Sequence, residues 1–278
     1  MEIKDSVKST YHKLLRENKF YSSLLEPDFK VRLENFLHAW EPIRAAENRI
    51  HIPFDEYPQL PFAPSVKQDF EWTWRCLSLT QLLPFLEKNK TQNILEIGSW
   101  NGWLSNQLCA LGNDVLALDF FSDERDGLQS KKHYSQHWKS LQCNVYQTHF
   151  LEAQFEVIIV NHCLQFCPEP LAFCRELQKL LLPGGKIFLL GLNFYQNPMN
   201  KIKAVDAYKK AYKLKHNFTI FLQETKAYLD FNDKKEIEKL GFKLYKQKGM
   251  LLRNLYSSLF PAKPSYFFGV YEKTVLNQ

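Results

Sequence analysis

An α/β fold built around a parallel sheet is what this chain predicts, and three observations carry that reading. An apolar run at Ile94, Leu95 and Ile97 is followed by a helix-period pattern through Trp103, Leu104, Leu108 and Leu111, and then by a second apolar run from Val115 to Leu118. A continuous apolar stretch, FEVIIV at residues 155–160, is short and β-rich enough to be a fully buried strand. A helical stripe at Leu171, Cys174, Leu177 and Leu181 follows it, so strand and helix patterns alternate.

The elements follow in order. Val7, Tyr11, Leu14 and Leu15 form one helical stripe, and Phe29, Leu33, Phe36, Leu37 and Trp40 form another. Pro27 suits the first turn of that second helix. Residues 53–64 are rich in proline and aromatics, which excludes a long helix or a central strand. A further helical segment lies near Trp72, Trp74 and Leu77 and is disturbed by Pro84. Residues 1–90 are therefore expected to form an N-terminal helical cap, with the proline stretch as a lid, a rim or plain scaffold. Residues 91–278 form the main domain, with 196–230 as a helical insertion. Asn144 to Gln147 is expected as the third strand. Pro183-Gly184-Gly185 turns into a strand over 186–190, a helix covers 233–240, a strand starts at Gly241-Phe242, and 266–271 makes the last strand.

The strand–turn–helix–strand–acid order over residues 93–120 belongs to nucleotide-handling βαβ units, whose strand ends hold ligands in a crevice. Asp119 lies about 20 residues after Gly98, the spacing of an acid that bonds ribose hydroxyls. A dinucleotide fingerprint would need glycine at 100 and 103, where tryptophans stand, and no P-loop occurs.

The run Ile94-Leu95-Glu96-Ile97-Gly98-Ser99-Trp100-Asn101-Gly102 resembles the first motif of the class I S-adenosylmethionine (SAM) methyltransferases, and Asn101-Gly102-Trp103-Leu104-Ser105 matches a subgroup of them. The resemblance extends more weakly to the chain's end. It implies a Rossmann-like, seven-stranded, mostly parallel sheet with a reversed final strand and helices on both faces. It also implies a SAM-binding methyltransferase domain over 91–278. Glu96 would sit near the methionine amino group, and Asp119 would accept from the ribose hydroxyls. Gly98, Ser99 and Gly102 would supply the turn, and Phe120 and Phe150 would flank the adenine. Asn161 stands at the motif that closes the fourth strand. Two positions depart from the pattern. Trp100 replaces the middle glycine, so its ring either swings away to line the pocket or weakens cofactor binding. His149 stands where an acid often meets the adenine amino group.

Methyl transfer from a sulfonium is an in-line displacement, so few catalytic side chains are required. His162, after the fourth strand, is the first candidate base, and Tyr195, after the fifth, is the second. The motifs of adenine, glutamine and C5-cytosine methyltransferases are missing, which leaves a small or medium-sized metabolite as substrate. One alternative is a non-catalytic binding protein on the same fold. A second is an RNA methyltransferase, motivated by the lysines of 201–215 and a net charge of +6. A solvated helix face is the simpler reading of those lysines, so nucleic acid is disfavoured.

The charged N-terminus carries no secretion signal, and the apolar runs are too short to span a bilayer, so a cytoplasmic location without a membrane partner is expected. Six cysteines show no C-x-x-C pair, so no metal is expected.

Overall fold

The computed structural model describes residues 21–46, 51–86, 90–148, 151, 153–217, 219 and 221–275. The stripe at Val7–Leu15 lies outside them, as do the candidate site residues His149 and Phe150. Strands β1 (Tyr21–Ser23), β2 (Asn93–Ile97), β3 (Asp114–Asp119), β4 (Lys139–Gln142), β5 (Phe155–Asn161), β6 (Leu181–Tyr195), β7 (Leu229–Asp230), β8 (Lys243–Lys246) and β9 (Pro264–Glu272) form one sheet. Their order is β1-β4-β3-β2-β5-β6-β9-β8, with β7 paired to β6. Only β9 runs against its neighbours, β6 and β8. Seven longer strands match the expected number, though not every expected position, and the short β1 and β7 are additions.

Period-two alternation divides the apolar residues of the sheet between its faces. Leu95, Ile97, Leu116, Leu118, Ile158 and Val160 point to one face. Helices α4 (Pro170–Leu180) and α6 (Phe231–Lys239) cover that face through Phe173, Leu177 and Ile237. Ile94, Val115, Ala117, Val157, Ile159 and Phe188 point the other way. There they meet α2 (Phe70–Leu82) and α3 (Trp103–Ala110). Local signals start these helices. The Asp69 carboxylate accepts the Trp72 N–H at 2.9 Å and caps α2. Pro170 opens α4, and Asp230 with Asp233 forms a capping box on α6.

The proline-rich stretch folds as short 3₁₀ turns at Phe54–Gln59 and Pro64–Val66. Tyr57, Leu60, Ala63 and Val66 are buried in the same cluster as α2 and α3. The Tyr57 hydroxyl donates to the Arg125 carbonyl at 2.8 Å, and the Gln107 side chain donates to the Leu60 carbonyl at 2.7 Å. Residues 52–86 thus share one core with the sheet. Helix α1 (Pro27–Ala46) begins at Pro27 as its sequence suggests, and α5 (Met199–His216) lies within residues 196–230. Phe36, Leu37 and Trp40 of α1 pack with Tyr208 and Tyr212 of α5 and with Phe121.

Two local expectations are corrected, and one helix is added. The third strand is Lys139–Gln142, not Asn144–Gln147, which is largely turn. Ser140 and Leu141 pair with Ala117 and Leu118, while Asn144 accepts from the Gln147 and Tyr146 N–H groups as turn residues do. The strand expected at Gly241 starts two residues later, because Gly241 ends the turn after α6. Helix α7 (Leu251–Leu259) is missing from the expectations, although its apolar residues recur at helical spacing.

Candidate functional site

The C-terminal ends of β2, β3 and β5 open into a cleft of about 1090 Å³, roofed by α1, α5 and the start of α2. This is where open parallel sheets bind ligands. Of the candidate site residues, Gly98, Trp100, Asp119, Phe120, Asn161 and His162 line it.

The turn after β2 follows from its backbone demands. Gly98 has φ +76°, and a Cβ there would stand 2.8 Å from the Cys163 sulfur. Glycine therefore keeps the turn close to the end of β5. Trp100 also adopts a left-handed conformation, φ +51°. Glycine would adopt this conformation without penalty, and the tryptophan costs about 1–2 kcal/mol in backbone strain. Its ring leaves the turn and faces Trp72, with centroids 5.5 Å apart. The Arg75 guanidinium lies 4.9 Å from the Trp100 ring and 5.2 Å from that of Trp72. The Trp100 ring lines the cleft.

Asp119 closes β3. One carboxylate oxygen accepts the Trp100 N–H at 2.7 Å and the other accepts the Phe121 N–H at 2.9 Å. Burial raises its pKa to about 6, against the pull of those backbone donors. Each oxygen keeps a lone pair for a further donor. Glu96 behaves differently. It shares strand parity with Ile94, so it points beneath α3 and does not line the cleft. Its oxygens accept from the Ser105 hydroxyl and from the Asn161 amide at 2.8 Å. Burial raises its pKa to about 7, opposed by the Ser105 and Asn161 hydrogen bonds. Ser99 and Gly102 are buried within the turn and its helix start, outside the cleft lining.

His162 follows β5 in a left-handed conformation, φ +55°, and its N–H donates to the Leu190 carbonyl at 3.2 Å. Its ring lies over Gly191, where β6 bulges against β9; a Cβ on Gly191 would come within 2.3 Å of the imidazole. Trp74 meets that ring edge-on at 5.0 Å. Burial, assisted by the Arg75 charge, holds the imidazole pKa well below its ordinary value, so the ring is neutral. Its Nε2 is buried without a hydrogen-bond partner in the protein, and so are Trp74 Nε1, Gln165 Oε1 and Asn161 Oδ1. Tyr195 is not brought to the cleft. It ends β6 opposite Asp230 and Pro264.

Sequence reading assigned no role at the site to Arg75, Trp74 or Gln165. Arg75 is 13% exposed, and Glu71, its ion-pair partner among the described residues at 3.4 Å, is 72% exposed. A cation inside the aromatic stripe of α2 was the signal available for it. The donor set fits a ligand with ribose hydroxyls and an amino-acid end. Asp119 offers acceptors, Arg75 a cation, and Asn161 an unused carbonyl oxygen.

Residues 95–189 match the family model described as "Methyltransferase domain". Ubiquinone biosynthesis O-methyltransferase of Xanthomonas oryzae pv. oryzae is 30% identical over 106 residues, covering 36% of this chain and 43% of that protein. The protein of the same name from Hydrogenovibrio crunogenus is 28% identical over 111 residues, covering 38% and 44%. The chain thus spans less than half the length of these curated relatives. Among solved structures, Haemonchus contortus phosphoethanolamine N-methyltransferase 2, in complex with phosphomonomethylethanolamine and S-adenosylhomocysteine, superposes with a TM-score of 0.52 at 14% identity. That match covers 81% of this chain and 61% of the other. A SAM-dependent methyltransferase from Mesorhizobium loti gives a TM-score of 0.50 at 13% identity, covering 71% and 98%. Residues 95–189 are therefore similar to a methyltransferase domain, set within a chain that has the Rossmann-like fold of the class I SAM-dependent methyltransferases.

Proposed function

We propose that this protein is a SAM-dependent methyltransferase acting on a small or medium-sized, hydroxyl-bearing metabolite. The observation that carries the reading is Asp119, at the end of β3, facing the cleft beside the Gly98–Gly102 turn. Asp119 would hold the ribose hydroxyls, Arg75 the carboxylate of the methionine end, and Phe120 one side of the base. Asn161 would offer its free amide oxygen to the amino group, with Glu96 positioning that amide from behind. The bound sulfonium supplies a methyl group already activated by charge. The chain's own task is then to align the acceptor, exclude water and take a proton. His162 suits the last of these, because its neutral Nε2 has no partner in the protein. The aromatic walls (Trp72, Trp74, Phe121 and Tyr146) suit a flat, largely apolar acceptor. The name of the Xanthomonas relatives, an O-methyltransferase, supports a hydroxyl as the group methylated.

Calorimetric titration with SAM and with S-adenosylhomocysteine tests the cofactor, with Asp119→Ala in parallel. Micromolar binding that the substitution weakens is expected. Absence of binding to either ligand would overturn the reading.

A further inference from the structure

Helix α7 is built inside out. Its sheet-facing side is polar. Asn254, 1% exposed, accepts the Tyr266 N–H at 2.6 Å and donates to the Tyr266 carbonyl at 3.1 Å. The buried Ser257 hydroxyl pairs with that of Ser265 at 2.6 Å. These bonds satisfy backbone and side-chain groups of β9 and fix the helix in its orientation. The outward side is apolar. Leu251, Leu255 and Leu259 form one row at helical spacing, and Leu252, Tyr256 and Phe260 form the next. All six are exposed, Leu252 by 81% and Leu259 by 76%. A helix whose apolar face were meant for the core would be turned the other way.

The charge around it is one-sided. Residues 243–271 contain Lys243, Lys246, Lys248, Arg253 and Lys263, and no acid. All five cations are exposed. We infer that α7 is a peripheral docking helix for an anionic lipid surface. Its leucines enter the acyl boundary while the flanking cations meet phosphate headgroups. A second copy of the chain would bring five cations against five cations, which opposes self-association through this face. No helix among the described residues is long and apolar enough to cross a membrane, so the attachment is to the surface. The face is also joined to the cleft. Met250, beside α7, packs with Trp74 and Tyr266, and Arg253 lies 4.1 Å over the Phe70 ring in the same cluster. The inference departs from the expectation of no membrane partner, because the pattern of α7 becomes informative only once its orientation is known.

Flotation of the full chain with phosphatidylcholine vesicles, with and without phosphatidylglycerol, tests the inference. Binding to the anionic vesicles alone, weakening as salt rises, is expected. The double variant Leu252→Glu/Leu255→Glu should bind about tenfold less or worse. Lys248→Glu/Lys263→Glu keeps the apolar face and should lose the preference for phosphatidylglycerol, which preserves the test if the leucine variant misfolds. Equal flotation by all variants, or none by the wild type, overturns the inference. So does light scattering that shows a dimer which Leu252→Glu/Leu255→Glu converts to a monomer, since the face would then join two copies.

Discussion

The Asp119 carboxylate accepts the backbone N–H of Trp100 at 2.7 Å, so the acid that ends one strand holds the left-handed residue of the turn that ends its neighbour. The acid and the turn are thus one unit, and perturbing either should be felt at the other. Asp119→Ala leaves the Trp100 and Phe121 N–H groups without their acceptor, at a cost of about 1–3 kcal/mol. It should also weaken SAM binding more than tenfold. Asp119→Asn, which retains one acceptor oxygen, should lie between the two in both melting temperature and calorimetric affinity.

Trp100 should reveal its backbone strain in a pair of variants. Both Trp100→Gly and Trp100→Ala lose the contacts with Trp72 and Arg75, so comparing them isolates the cost of φ +51°. Denaturant unfolding should find the glycine variant more stable than the alanine variant by about 1 kcal/mol. The reverse order would mean that the turn relaxes once the ring is gone.

Arg75 should separate stability from binding. It is a largely buried cation whose ion-pair partner among the described residues, Glu71, is largely exposed, so that pair recovers little of its desolvation. Arg75→Met should melt no lower than the wild type, while affinity for S-adenosylhomocysteine falls more than tenfold. A large drop in melting temperature would make Arg75 a structural residue instead.

His162→Asn tests the proposed base. Asparagine tolerates the left-handed backbone at this position. The turnover rate should fall by about 100-fold or more, with cofactor affinity unchanged. Because the imidazole pKa lies well below its ordinary value, the wild-type rate should stay level across neutral pH and decline only in acid, where the ring gains a proton. A rate that instead climbs through neutral pH would assign the proton to another group.

Glu96 should make the protein less stable as pH rises. Its pKa is about 7 in the fold against an ordinary 4.5, so the native state holds a proton that the unfolded chain releases. Stability is then full below about pH 4.5 and falls until about pH 7. Asp119, raised to about 6, adds to the same decline. Glu96→Gln should remove much of the loss, raising stability at pH 8 by up to about 3 kcal/mol. Melting curves of wild type and variant across this pH range check the sign.

The sequence by itself determined most of the strands and helices, the turn at Gly98 and the place of Asp119. These are local matters: period-two and period-3.6 patterns, capping residues, and an acid a set distance from a glycine turn. It also pointed to His162 by its place after a strand. Tertiary structure decided the rest, because those outcomes depend on which face a residue occupies. Strand parity turned Glu96 under α3 toward Ser105 and Asn161, although its neighbour in the motif, Gly98, opens to the cleft. The packing of α2 across the strand ends brought Arg75, Trp74 and His162 together from distant parts of the chain. The β6 bulge at Gly191 made room for the imidazole. The leucines of α7 could be read as core until hydrogen bonds from Asn254 and Ser257 turned that helix outward. Periodicity shows that a helix has two faces, and only its bonds to the rest of the molecule show which of them meets water.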